Sequence, residues 1–99
     1  MTERPRVSVV VPAYNEGEQV VSVLDRLFES VRLPSEVLVV VDSADDTTVP
    51  VTEDYAQKEP RLRCLLNTYG RGPANAIRFG FDAATAPVVV VTIDRKSVV

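Results

Sequence analysis

The sequence predicts an α/β fold, one parallel sheet with helices on both faces, and three observations carry that expectation. Short, almost wholly apolar runs stand at 7–11, 36–41, 62–66 and 88–93. Runs of this length bounded by turn residues fit strands of a parallel sheet, whose central members are buried on both faces. Segments with helical spacing of apolar residues separate them, and the connections are short. Right-handed crossovers then bring the carboxyl ends of all four strands of a β-α-β-α-β-α-β chain to one edge.

The first strand opens VSVVVPAYNE, residues 7–16, an apolar run that ends in a proline, an aromatic, an amide and a carboxylate. Val20, Val23, Leu24, Leu27, Phe28 and Val31 follow at helical spacing, with Glu18, Gln19, Asp25, Arg26 and Glu29 on the opposite face. That is an amphipathic helix of about four turns. Asn15 is the expected N-cap with Glu18 as capping-box partner, and Leu33-Pro34 ends the helix. The second strand, 36–41, stops at Asp42. A second helix is expected with Thr48 as its cap and Pro50 in its first turn, running to about residue 58 before Pro60. The third strand is 62–66, and NTYGRGP forms a glycine-containing loop. A third helix over 74–84 would turn inward Ala76 or Ile77, Gly80 or Phe81, and Ala84. Ala86-Pro87 stops it, and the fourth strand, 88–93, reads as central and is expected beside the first.

Composition excludes several functions. The 99 residues, 45% hydrophobic, suit one small domain, taken as residues 1–99. A net charge of −3 offers no basic field for nucleic acid. With no histidine, catalytic triads and histidine-containing zinc sites are ruled out. Cys64 is the one cysteine, so no internal disulfide forms, and its apolar setting fits a small buried residue in a reducing compartment. No apolar run approaches the ~20 residues of a membrane helix, and MTERPR is no signal peptide. The chain therefore reads as soluble and cytoplasmic.

The chemistry-bearing residues collect at the strands' carboxyl edge: Pro12, Tyr14, Asn15 and Glu16, then 42–46, then 67–72, then Asp94. Open α/β sheets bind ligands at that edge. The first turn lacks both Gly-x-Gly-x-x-Gly and Gly-Lys-Ser/Thr, which weakens the dinucleotide and P-loop readings. Tyr14 offers a ring face or hydroxyl to a base or ribose, and Glu16 can accept from sugar hydroxyls. The plainer reading is that Pro12 ends the strand, Asn15 caps a helix and Glu16 serves its positive end. For Asp45 and Asp46 the plainer reading, a solvated loop before a helix N-terminus, is preferred. Asp42, ending a buried strand, points at the site.

In order, VSVVVPAYNE, EVLVVVDSADDTT, GRGPANAIRFGFDAA and VVVVTID resemble the family 2 glycosyltransferases of the GT-A fold, including transferases of the dolichol-phosphate mannosyltransferase type. The resemblance covers residues 7–94. It implies a Rossmann-like sheet, the N-terminal half of a GT-A fold, and transfer of a sugar from a nucleoside diphosphate, UDP- or GDP-linked, to a lipid-phosphate or saccharide acceptor. By matching position it places Pro12, Tyr14, Glu16 and Asp42 around the nucleoside, and Gly70, Arg71 and Gly72 near the nucleotide. It also implies a divalent cation, Mg2+ or Mn2+, with Asp94 matching the first carboxylate of the metal motif.

Departures accompany these matches. Val41 stands where the family has the first of two Asp residues, Ser43-Ala44 replaces its Gly-Ser, and Lys96 falls on the second metal carboxylate. The loss of that carboxylate coincides with the end at RKSVV, so the chain is expected to be the truncated nucleotide-sugar-binding half of a longer protein, binding nucleotide without turnover. An intact relative would work at the cytoplasmic membrane face. No residue is nominated as catalytic base. Two rivals remain: a small α/β binding or interaction module without chemistry, and a phospho-acceptor receiver domain, disfavoured because the chain after Lys96 is too short for the further strand that domain needs.

Overall fold

β1 (Val7–Pro12), α1 (Gln19–Ser30), β2 (Ser35–Val41), α2 (Thr48–Ala56), β3 (Leu62–Leu66), α3 (Pro73–Ala83) and β4 (Val88–Val91) succeed one another in the computed structural model, which describes residues 4–92. All strand pairs are parallel and the order across the sheet is β3-β2-β1-β4. β1 is thus central, with β2 on one side and β4 on the other. Stepping from β1 through β2 to β3 in one direction puts α1 and α2 on the same face. The return from β3 to β4 reverses direction and puts α3 on the opposite face, as right-handed crossovers require.

Side chains alternate across the strands with period two, and each face builds its own core. Val9, Val11, Val37, Val39, Val41 and Leu62 pack with Val20 and Leu24 of α1, and α2 adds partly buried residues such as Tyr55. Val10 and Val40 face the other way, onto Ala76 of α3. The alternatives left open for α3 are thereby resolved: Ala76 and Gly80 are its buried residues, whereas Phe81 is exposed. A β-carbon on Gly80 would overlap the Val10 side chain, so a glycine is what lets α3 lie this close to β1.

Two expectations need correction. Asn15 does not cap α1. It adopts φ 47°, in the left-handed region, and α1 begins only at Gln19, with Glu18 at the cap position making no side-chain capping bond. The Asn15 side chain and amide instead face a loop distant in sequence, as described below. β4 is not central among the described residues. It stands at the sheet edge with Val88 and Val90 54% and 46% exposed, while Val89 and Val91 pack on the α3 side. Its apolar composition belongs to one covered face and one open one.

At the amino edge a polar network ties the sheet to the α3–β4 connection. Ser8 Oγ donates to Glu36 Oε2 at 2.6 Å, and Thr85 donates to the same oxygen from its amide at 2.7 Å and its hydroxyl at 2.9 Å. Arg63 lies 3.5 Å from Glu36 Oε1. Burial pushes the Glu36 carboxyl up, but these hydrogen bonds and the Arg63 charge outweigh it and hold the group below the usual carboxylate range.

Candidate functional site

A cleft of about 210 Å³ opens at the carboxyl edge, lined by Tyr14 and Asn15 after β1, by Asp42, Ser43, Asp45 and Asp46 after β2, and by Arg71 after β3. Three loops distant in sequence supply it, because a parallel sheet delivers every strand end to the same edge.

The first two loops are clasped together. Asp46, only 5% exposed, accepts the Asn15 amide with both carboxylate oxygens at 2.9 Å and the Thr48 amide with Oδ1 at 2.7 Å. In return Asn15 Oδ1 accepts the Thr47 amide at 3.2 Å, and Thr48 Oγ1 accepts the Glu16 amide at 2.9 Å. The Asn15 side chain expected to cap α1 therefore serves the start of α2. Thr48 is its first helical residue, and Asp46 supplies the capping oxygen expected of Thr48. Asn tolerates the left-handed conformation better than most residues, which is why an amide can stand at this bend. Held by the clasp, Tyr14 projects at the cleft, 74% exposed.

The third loop is bound to the second through Asp42. Its Oδ2 accepts the Gly72 amide at 3.0 Å and its Oδ1 accepts Asn67 Nδ2 at 2.8 Å. Asn67, 7% exposed, also donates from Nδ2 to the Gly70 carbonyl at 2.7 Å, and accepts the Tyr69 amide at 2.8 Å. Gly70 and Gly72 take φ 108° and 116°, which only glycine adopts without strain. Arg71 lies between them and is the one cation lining the cleft among the described residues.

Of the residues expected at the site, Tyr14, Asp42 and Arg71 line the cleft. Pro12 closes β1, Glu16 stands behind the clasp, and Gly70 and Gly72 shape the loop that carries Arg71. Asp94 lies outside the described residues. The reading of Asp46 as a solvated loop residue is corrected, because its carboxylate is buried against backbone amides; Asp45 is exposed. Asn67 was not singled out. Its signal was a lone amide at the end of an apolar strand, just ahead of a glycine loop.

Among the described residues three carboxylates and one guanidinium face this cleft, so within that set Arg71 carries the attraction for an anionic ligand. Among the described residues no three Asp, Glu, Cys or His side chains converge to hold a metal, and the oxygens of Asp42 and Asp46 already accept protein N–H groups. These residues do not fit a divalent ion by themselves. The exposed Asp45 suits a ligand's hydroxyl donor, Tyr14 a flat face and Arg71 a negative charge.

A family model described as glycosyl transferase family 2 matches residues 8–95. The dolichyl-phosphate beta-glucosyltransferase of Drosophila melanogaster is 36% identical over 88 residues, which are 79% of this chain and 27% of that protein. The dolichol-phosphate mannosyltransferase of Pyrococcus furiosus is 31% identical over 87 residues, 87% of this chain and 24% of that protein. Among solved structures, a mannosyltransferase from Pyrobaculum calidifontis in complex with GDP-Man and Mn2+ superposes with a TM-score of 0.74 at 37% identity, over 93% of this chain and 28% of that one. The chain thus spans about a quarter of the length of the relatives it matches. No helix among the described residues is long and apolar enough to cross a membrane.

Proposed function

The chain belongs to glycosyl transferase family 2, and from that premise we propose that residues 1–99 form the nucleotide-sugar-binding half of a sugar transferase. The whole protein moves a sugar from a UDP- or GDP-linked donor to a lipid-phosphate or saccharide acceptor. One observation supports this reading above the rest. The cleft sets an aromatic face, hydroxyl-accepting carboxylates and one guanidinium within reach of one another on three loops.

In this reading Tyr14 lies against the base or ribose, Asp42 accepts from the nucleoside while keeping the glycine loop in place, and Arg71 meets the diphosphate. Pro12 and Glu16 support the nucleoside end, and Gly70 and Gly72 give the backbone room near the phosphates. Mg2+ or Mn2+ belongs to the same reading, with Asp94 as candidate ligand; when bound it would neutralise charge on the departing diphosphate. Relatives named for dolichyl phosphate and undecaprenyl phosphate favour a lipid-phosphate acceptor, and work at the cytoplasmic membrane face is part of this proposal.

Titration of UDP, GDP and their sugar conjugates into the 99-residue chain, with Mg2+ or Mn2+, tests the proposal. Saturable binding without sugar transfer is expected, and Tyr14→Ala should weaken it about tenfold through loss of a stacked ring. Turnover by this chain alone would refute the half-domain reading. A stable fold that ignores every nucleotide would favour the non-catalytic module instead.

A further inference from the structure

The glycine loop that carries Arg71 has an aromatic anchor in Tyr69, whose ring meets Phe79 edge-on at 5.2 Å and whose hydroxyl donates to Asp82 Oδ2 at 2.6 Å. Residues 70–72 beyond it rest on a hydrogen-bonded hub made by two side chains from neighbouring strand ends. Asn67, nearly fully buried, uses both side-chain donors and its carbonyl oxygen there: Nδ2 donates to Asp42 Oδ1 and to the Gly70 carbonyl, and Oδ1 accepts the Tyr69 amide. Its own amide donates to the Val41 carbonyl at 2.7 Å, which fixes the hub to the end of β2. Asp42 completes it by accepting the Gly72 amide. The two glycines on either side of Arg71 are thus each held, one by its carbonyl and one by its amide, both in conformations closed to other residues.

Resting on the nucleotide-binding reading above, we propose that Asn67 is a positioning residue for diphosphate recognition: the Asn67–Asp42 hub sets the 70–72 loop so that Arg71 faces the phosphates of a nucleoside diphosphate. Asn67 itself touches no ligand in this arrangement. Its contribution is pre-organisation, sparing the ligand the ordering of a glycine-rich loop whose free chain has wide conformational freedom.

The isosteric change Asn67→Asp separates this role from packing. It keeps the shape and the Tyr69 contact but sets a carboxylate oxygen against Asp42 Oδ1 and the Gly70 carbonyl, where an NH2 group now donates. Calorimetric titration of the full chain with GDP and guanosine, and with UDP and uridine, in the presence of Mg2+ supplies the readout. The ratio of nucleoside diphosphate to nucleoside affinity reports what the phosphates add. That ratio should fall about tenfold in Asn67→Asp and by a similar factor in Arg71→Ala, with nucleoside affinity falling less than diphosphate affinity. The exchanged pair Asp42→Asn with Asn67→Asp restores one donor facing one acceptor across the hub, and should recover part of the ratio. A merely structural role predicts equal losses for nucleoside and diphosphate and no recovery in the exchanged pair. If Asn67→Asp leaves the ratio unchanged while the unaltered chain binds GDP or UDP, this inference is overturned alone; if the unaltered chain binds neither, the nucleotide reading falls and this inference with it.

Discussion

Asp46→Ala removes the acceptor that joins the β1–α1 and β2–α2 loops. Two backbone amides, those of Asn15 and Thr48, then lose their partner in a place where Asp46 is 5% exposed. A buried donor left unsatisfied costs roughly 1–3 kcal/mol, and loss of a helix-capping oxygen, which the Thr48 contact supplies to α2, about 0.5–2 kcal/mol. Because both loops are at the surface, water recovers part of this, and a net loss of ~2–4 kcal/mol is expected. Set against a total stability of roughly 5–15 kcal/mol, that lowers the melting temperature on the order of 10–20 °C. Asp46→Asn should cost less, ~1–2 kcal/mol, since one oxygen still accepts Thr48 while the new NH2 group confronts the Asn15 amide. Urea unfolding followed by circular dichroism measures both, with an unchanged slope as the sign that only stability moved. An Asp46→Ala midpoint within about 0.5 kcal/mol of the unaltered chain would refute the argument, because a solvated carboxylate is the case in which surface substitutions fall in that range.

Gly80→Ala should destabilise by ~1–2 kcal/mol in the same assay, although alanine is worth about 1 kcal/mol over glycine in a helix interior, because the added methyl overlaps the buried Val10 side chain; a gain in stability would show that α3 moves away from β1 freely. Burial, with added repulsion from Glu53 and Asp46, pushes the Cys64 thiol up to about 11, so iodoacetamide labelling of the folded chain should run about a hundredfold slower than that of free cysteine and recover in urea. Labelling at the free rate would contradict the packing described for β3. The depressed Glu36 carboxyl contributes stability that is fully present above its unfolded value near 4.5 and lost as pH falls through its lower folded value. The unaltered chain should therefore lose urea stability relative to Glu36→Gln on acidification below about 4.5, and parallel profiles for the two would remove Glu36 from the account.

Much of this molecule was legible before any coordinates. The apolar runs of β1 and β2, the helical spacing between them and the short connections require only near neighbours in sequence, and they sufficed for a parallel sheet with helices on both faces and for the gathering of polar strand ends at its carboxyl edge. The placing of β4 beside β1, and of Tyr14, Asp42 and Arg71 at one cleft, belongs with them. What periodicity does not encode is which distant group meets a given polar atom. Asn15 looked like a helix cap because the capping rule reads only the next few residues, whereas its actual partners, Asp46 and Thr47, lie more than thirty positions away and are delivered by the register of β1 on β2. The choice of Ala76 and Gly80 over Ile77 and Phe81 as the buried side of α3 was settled by the closeness of Val10, a steric fact of packing. The role of Asn67 emerged only when β2 and β3 came into register and set it between Asp42 and Gly70. Local sequence therefore determined the elements and the edge they share, and tertiary structure decided which side chains at that edge hold the loops and which are left facing the cleft, because buried polar groups take their partners from whatever the fold brings within hydrogen-bonding distance.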